Sequence, residues 1–367
     1  MIPVNEPALG EREIELVADC VRSGWVSSAG HYLDEFERRW AEYCGMKHGV
    51  AVSSGTAALD VAVSCLRLEL GDEVILPSFT IISCAQAITK HGGRPVLVDC
   101  DPETWCLDVD QVAARITSRT RAIMPVHMYG HPADMDPLRK LADRHGLVLI
   151  EDAAQAHGAE YKGQRCGGLG DISCFSFYAN KIITTGEGGM VLTNDDEWAA
   201  HARAYRNLCF QGERRFCHEE LGENYRMTNL QAALGVAQLG RLDEIVAHKR
   251  AMAAAYTERL RSCGAFQLPT EREWARSTFW MYGVVLKGAD RSAADLAGTL
   301  LDCGVQTRPF FLGMHEQPAF HRMGLFRGEE YPVTDMLGRQ GLYLPSGTAL
   351  TESQVDEVSA AVLDGVA

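Results

Sequence analysis

From about residue 48 to residue 195, short apolar runs alternate with segments of helical period. Gly49-Val50-Ala51-Val52 reads as a buried strand, and residues 56–68 as a helix with apolar spacing. Strand-like runs recur at 73–76, 95–98 and 122–126, and most clearly at Leu147-Val148-Leu149-Ile150. Runs that are apolar on both faces and separated by helices predict a parallel sheet covered on two sides. Two further runs, 174–177 and 189–193, lie too close together for an intervening helix and predict strands joined by a loop. After about residue 230 the pattern changes. One or two long Ala- and Leu-rich helices run to Leu260, followed by a strand over 279–286 and a helix over 293–303. This mixture predicts a smaller α/β domain attached through a long helix, with a boundary near residue 240.

Composition narrows the class. The 367 residues are 46% hydrophobic and 23% charged, values of a globular chain with a large core. No apolar run approaches membrane length, and Met1-Ile2-Pro3-Val4-Asn5-Glu6 has neither a basic region nor an apolar signal core. A cytoplasmic location is therefore expected. The net charge of −14 argues against nucleic acid as a partner, while leaving room for local arginines to receive an anionic small molecule. The twelve cysteines are scattered, with no C-x-x-C pair, and are expected to be mostly buried free thiols.

Three segments carry candidate chemistry. The 147–150 run ends in Glu151-Asp152-Ala153-Ala154-Gln155. A carboxylate at the carboxyl end of a parallel strand lies where open α/β sheets bind ligands, although Asp is also a good helix cap. Phe175-Ser176-Phe177-Tyr178-Ala179-Asn180-Lys181 places a lysine after an apolar strand and before a Gly-rich turn. Desolvation there would lower its pKa and make the amine a nucleophile toward carbonyls, as Schiff-base chemistry requires. A snorkelling or ion-paired lysine is the plainer alternative. Ser53-Ser54-Gly55-Thr56-Ala57-Ala58, between a strand and its helix, exposes backbone N–H groups suited to a phosphate. Each segment alone is weak. Their conjunction in chain order points to a cofactor site.

Longer motifs carry a resemblance. They are Gly24-Trp25-Val26-Ser27-Ser28, Phe36-Glu37, Gly71-Asp72-Glu73-Val74-Ile75, Ile150-Glu151-Asp152-Ala153-Ala154, Asn180 to Met190, Asn224-Tyr225-Arg226-Met227-Thr228-Asn229 and Arg308-Pro309. Through them the chain resembles, over nearly its whole length, the DegT/DnrJ/EryC1/StrS group of sugar aminotransferases. That group lies within the fold-type I superfamily of pyridoxal-phosphate enzymes. The resemblance implies an aspartate-aminotransferase-like α/β fold. A large domain over 1–240 would hold a mostly parallel mixed sheet between helices, and 241–367 would form a smaller C-terminal α/β domain. It implies pyridoxal 5'-phosphate as cofactor, bound covalently by Lys181, with Asp152 on the pyridine nitrogen and Gln155 at the ring hydroxyl. Ser176, Gly55 and Thr56 would hold the phosphate. Asn224 would reach the phosphate of a neighbouring subunit, so a homodimer is implied. Arg226, Arg308, Ser27 and Ser28 are candidates for the substrate side. The implied substrates are L-glutamate and a nucleotide-linked keto-sugar. GDP-4-keto-6-deoxymannose is the first expectation, with dTDP, UDP and CDP sugars as alternatives. No metal is expected.

One position departs from the group's pattern. Where most relatives place an aromatic residue that stacks on the cofactor ring, this chain has Ile81, leaving either Ile81 or Phe79 for that task. Phe310-Phe311-Leu312-Gly313 also differs, which bears on specificity. His127 and His131 are spaced poorly for zinc, because Gly130 and Pro132 break any helix. His127 is expected at a strand end near the cleft, and His315 and His321 on the surface. Trp280 and Tyr282 are expected in the core. Two other functions stand beside transamination: a sugar dehydratase, disfavoured because relatives of that kind replace the lysine by His, and a non-catalytic regulator, disfavoured because Lys181, Asp152 and Ser176 are all present.

Overall fold

In the computed structural model, residues 1–210, 214, 216–288 and 292–366 are described. After helices α1 (Glu11–Ser23) and α2 (His31–Cys44), strands and helices alternate. They are β1 (His48–Val52), α3 (Gly55–Ser64), β2 (Glu73–Pro77), α4 (Ser83–Lys90), β3 (Arg94–Val98), α5 (Val109–Arg115), β4 (Thr120–Ile123), α6 (Met135–His145) and β5 (Val148–Asp152). Then come β6 (Ile172–Ser176) and β7 (Gly189–Thr193) with no helix between them, followed by α7 (Asp196–Tyr205). The helix expected over 56–68 is shorter, closing at Ser64, and Arg67 beyond it holds a positive φ of 48°.

These seven strands form one sheet in the order β1-β7-β6-β5-β4-β2-β3. β7 pairs antiparallel with both β1 and β6, and every other pairing is parallel. Six strands therefore share a direction and one is reversed. The apolar runs on both faces are explained by their burial: β6 and β7 are buried at every residue. Helices α1, α2 and α8 (Asn229–Leu239) pack on one another, and Phe36 and Trp40 of α2 reach Phe175 and Phe177 in a fully buried aromatic knot.

The long helical stretch is two helices, α8 and α9 (Leu242–Leu260), broken at Gly240-Arg241. Beyond α9 lies a four-stranded antiparallel sheet, β8 (Phe266–Gln267), β9 (Tyr282–Leu286), β10 (Arg308–Pro309) and β11 (Gly341–Leu344), in the order β8-β9-β11-β10. It is accompanied by α10 (Ala293–Asp302), α11 (Pro318–Arg322), α12 (Pro332–Gln340) and α13 (Glu352–Asp364). Its core, with Tyr256, Tyr282, Leu296 and Val358, is a second hydrophobic cluster, and Ile2 from the start of the chain enters it by pairing with Val305. All twelve cysteines are free, nine of them buried. No helix among the described residues is long and apolar enough to cross a membrane.

The first core extends into the C-terminal part of the chain through an aromatic cluster. Tyr129 packs against Phe310 (centroids 4.9 Å), Trp280 (6.1 Å) and Tyr343 (5.9 Å), and Phe310 against Trp105 (5.2 Å) and Phe79 (5.7 Å). Gly130 makes this contact possible. At φ +99°, a Cβ there would stand 2.6 Å from Thr278 Oγ1 and 2.9 Å from the Trp280 amide. Gly130→Ala should therefore cost about 2–4 kcal/mol, from left-handed strain plus overpacking against backbone. The check is chemical denaturation beside wild type, and an unchanged midpoint would contradict the close approach.

Candidate active site

Three strand ends meet at the carboxyl edge of the large sheet. β5 ends at Asp152, β6 at Ser176, and β1 leads through Ser53 into α3. Ser176 and Val52 both face Gly189 across the reversed strand, and Asp152 faces Cys174 on β6. Ser54 caps α3, its Oγ accepting the Ala57 amide at 3.1 Å. The amides of Gly55 and Thr56 head the helix, where no intrahelical acceptor exists for them. A Cβ at Gly55 would lie 2.5 Å from Ser176 Cβ. Glycine thus lets the helix N-terminus and the Ser176 side chain close into one cradle, which suits a phosphate. Thr56 Oγ1 is hydrogen-bonded to Ser83 Oγ at 2.9 Å.

Lys181 lies in the β6–β7 connection, its backbone N–H donating to Tyr178 O at 2.9 Å. Its Nζ stands 3.7 Å from the centroid of the Trp280 ring. Burial pushes the amine down to about 7, against the opposing pull of Asp152. Asp152 is itself buried, which raises its pKa. Its Oδ1 takes the Ala154 amide at 3.0 Å and its Oδ2 the Cys84 thiol at 3.2 Å. A buried carboxylate served, among the described residues, by an amide and a weak thiol donor has acceptor capacity left for a cationic N–H, and a protonated pyridine nitrogen supplies one. Gln155 is buried, its Oε1 accepting the Tyr129 amide at 2.8 Å, so its NH2 group remains as a donor. The donor set and the cradle fit pyridoxal phosphate.

The other expected residues fall into two places. Arg308 lies beside Tyr178, Asn180 and Tyr343 in a cleft of about 240 Å³. Ser28 and Arg226 line a separate cleft of about 540 Å³ with Arg203, Arg206 and Asn207. Arg226 Nη1 donates to Asn207 Oδ1 at 2.7 Å, and the Tyr225 carbonyl takes the Ser53 amide at 2.8 Å, tying this strip to the helix-α3 turn. Ser27 is exposed, its carbonyl accepting the Asn229 amide. Asn224 is exposed opposite Asn207.

One singled-out residue departs from expectation, and the others have the following places. His315 is buried rather than on the surface, because its Nε2 bonds Asp335 Oδ1 at 2.9 Å. His127 is fully buried. Its Nδ1 accepts the Ala133 amide at 3.0 Å, and its Nε2 bonds Glu151 Oε1 at 2.8 Å. Glu151 also takes the amides of Gly167, Leu169 and Gly170, so the His127–Glu151–Cys166 group is a saturated hydrogen-bond knot. Phe79 is committed to the aromatic cluster with no exposure, whereas Ile81 is 39% exposed. Phe310 is buried in the same cluster, so that part of the divergent Phe310–Gly313 stretch serves packing. Trp280 is core by burial, yet it touches Lys181. Cys84, a buried thiol, touches Asp152. Neither contact has a local sequence signal, since each bridges residues about seventy to a hundred positions apart.

Fold and constellation together define the class as pyridoxal-phosphate-dependent sugar aminotransferases. The chain belongs to the DegT/DnrJ/EryC1/StrS aminotransferase family, whose sequence profile matches residues 7–363. It is 43% identical over 363 residues to a GDP-perosamine synthase of Caulobacter vibrioides, covering 98% of this chain and 97% of that one. Among solved structures it is similar to the aminotransferase TlmJ of Streptoalloteichus hindustanus, with a TM-score of 0.93 and 32% identity, covering 100% and 99% of the two chains. It is also similar to the sugar aminotransferase Spr1654 of Streptococcus pneumoniae in its PMP form, with a TM-score of 0.93 and 25% identity, covering 100% and 99%.

Gly55→Ala should weaken cofactor binding about tenfold or more, since the added Cβ meets Ser176 in the cradle. Titration of the cofactor-free protein checks this, and unchanged affinity would refute the cradle. Lys181→Met should reveal the buried amine in the pH dependence of stability. The unfolded lysine titrates near ~10.4 and the folded one at about 7. Between those values the unfolded chain holds more protons, so wild-type stability relative to the variant rises with pH. Below the folded value the difference is constant. Urea denaturation of both cofactor-free proteins should show this slope, and a flat difference across the window would contradict it.

Proposed function

We propose that this enzyme moves the amino group of L-glutamate onto a nucleotide-linked keto-deoxysugar, with GDP-4-keto-6-deoxymannose as acceptor and GDP-perosamine as product. The reading of the site is carried by one observation: a half-buried amine of lowered basicity, a buried acid and an anion cradle lie at one edge of the large sheet. The choice of sugar is supported by the similarity to a GDP-perosamine synthase along almost the entire chain.

Bound at this site, pyridoxal phosphate supplies an electron sink for the breaking of a C–H bond next to nitrogen. The residues supply position and proton transfer. Lys181 Nζ would be the covalent attachment point and, once free, would carry the transferred proton as base and acid. Asp152 would pair with a protonated ring nitrogen, and the NH2 of Gln155 would donate to the ring oxygen. Ser176 and the head of α3 at Gly55 and Thr56 would hold the phosphate, and Ile81 would be left for packing on the ring. Asn224 completes the phosphate site of a partner subunit, which makes the working enzyme a homodimer. Arg308 in the cleft lined by Asn180, Arg226 and Ser28 in the arginine-lined cleft, and the exposed Ser27 preceding it receive the anionic parts of the two substrates. Both half-reactions use one site, so ping-pong kinetics follow. We also infer a domain boundary near Gly240, where α8 gives way to α9.

The purified protein should be yellow and bleach when L-glutamate is added. Lys181→Ala should lose the covalent chromophore, and amination across a panel of GDP-, dTDP-, UDP- and CDP-linked keto-sugars should peak with the GDP sugar. A Lys181→Ala protein that keeps the chromophore would overturn the attachment site. Preference for another nucleotide by more than about tenfold in kcat/KM would overturn the acceptor.

A further inference from the structure

Trp280 sits at the entrance to β9, in the C-terminal part of the chain, yet its indole covers the Lys181 amine. Nζ lies 3.7 Å from the ring centroid, inside the range where an ammonium is attracted by an aromatic face. The indole is fixed from two sides. Its Nε1–H donates to the carbonyl of Asn180, the residue before the lysine, at 2.6 Å. Its own backbone carbonyl accepts the Lys249 amine at 2.8 Å.

Lys249 is unusual in its own right. It projects from α9, is 1% exposed, and donates to two backbone carbonyls, those of Trp280 and Ser346. Burial pushes this amine down to about 7, and no side-chain charge contributes to that shift. A solvated lysine would cost the protein less, and an aliphatic residue would fill the space without a buried donor. What the amine adds is a pin between α9 and the strand start that carries the indole.

We propose that Trp280 is a positioning residue for the free Lys181 amine, holding it over the indole face, and that Lys249 fixes Trp280 in that place. The inference rests on Lys181 being the cofactor lysine only for its consequence in catalysis; the contact itself does not. When not bonded to the cofactor, the lysine must keep its nitrogen near the reacting carbons and take and return a proton. An aromatic face favours the ammonium without forming a hydrogen bond that would have to be broken. The other groups acting on this amine are Asp152 at the end of β5 and His157 in the turn beyond it. Arg308 and Tyr343 stand across the adjacent cleft. His157 is buried and pushed down to about 3, so it stays neutral at working pH and leaves Asp152 and the indole to oppose desolvation.

The test uses the full-length protein freed of cofactor. Trace acetylation of Lys181, read by peptide mass spectrometry between about pH 5 and about pH 10, reports the titration of the free amine. Trp280→Leu keeps an apolar side chain over the amine but removes the ring, and its midpoint should fall by about one pH unit. Trp280→Phe should fall by less, and Lys249→Met should move the same way by a fraction of that shift. In the holoenzyme Trp280→Leu should lower kcat about tenfold at neutral pH, with KM for the keto-sugar nucleotide within about twofold. Trp280→Phe should recover most of the rate. An unchanged midpoint in Trp280→Leu would overturn the proposal, and so would a loss confined to KM, which would make the indole a substrate contact. If Lys181 acetylates equally with and without cofactor, the attachment site is wrong, while the midpoints still decide the role of the indole.

Discussion

The reversal of β7 is the constraint on which the site depends. Had β7 run parallel to its neighbours, the chain leaving β6 would have needed a crossover of a dozen residues or more to the opposite edge. Instead it turns back within the 177–188 connection, so Lys181 stays at the carboxyl edge where Asp152, Ser176 and the head of α3 already meet. The reversed strand also brings Gly189 between Ser176 and Val52. A Cβ there would lie 2.3 Å from the Ser54 carbonyl. Strand direction and one missing side chain thus bring the amine and the anion cradle to the same edge.

That juxtaposition is held against desolvation. Taking an isolated charge out of water costs several kcal/mol even after relaxation. Here burial raises the Asp152 pKa and lowers that of Lys181, and the attraction between the two opposes both shifts without cancelling them. The protein could relieve this with an arginine near Asp152, but it uses the Ala154 amide and a thiol. The remaining acceptor capacity makes the site complementary to a cationic heterocycle. Neighbouring groups follow the same economy: Gln155 spends its oxygen on Tyr129 and keeps its donors, and His127 and Glu151 are tied up on the far side of β5.

Much of this was legible in the sequence because it is local. Each strand of the large sheet lies within a few residues of its apolar run, and Gly189–Thr193 coincides with it. Lys181, Asp152 and Gly55 each follow directly from a strand end, so chain order alone brought them under suspicion. Contacts between distant segments left no such mark. Trp280 read as core because an aromatic in an apolar strand usually is core, and by burial it is. Its meaning comes from Asn180 and Lys181, a hundred positions away. His315 read as a loop histidine because its partner, Asp335, lies on another helix. The 56–68 helix was overextended because its apolar period continues past Ser64, where the backbone turns at Arg67 and a loop begins.

The aromatic cluster explains why a change in the small sheet can reach the lysine without touching substrate. Tyr129, Phe79 and Trp105 come from the large-sheet loops, and Phe310, Tyr343 and Trp280 from the C-terminal part of the chain, all within one hydrophobic cluster. Close-packed interiors transmit displacement rather than absorb it. Phe310 lies two residues beyond Arg308, so the packing that seats the phenyl ring also sets where the guanidinium stands in its cleft. Phe310 and Phe311, both packed against Tyr129 and Phe79, therefore bear on the placing of Arg308 through packing alone.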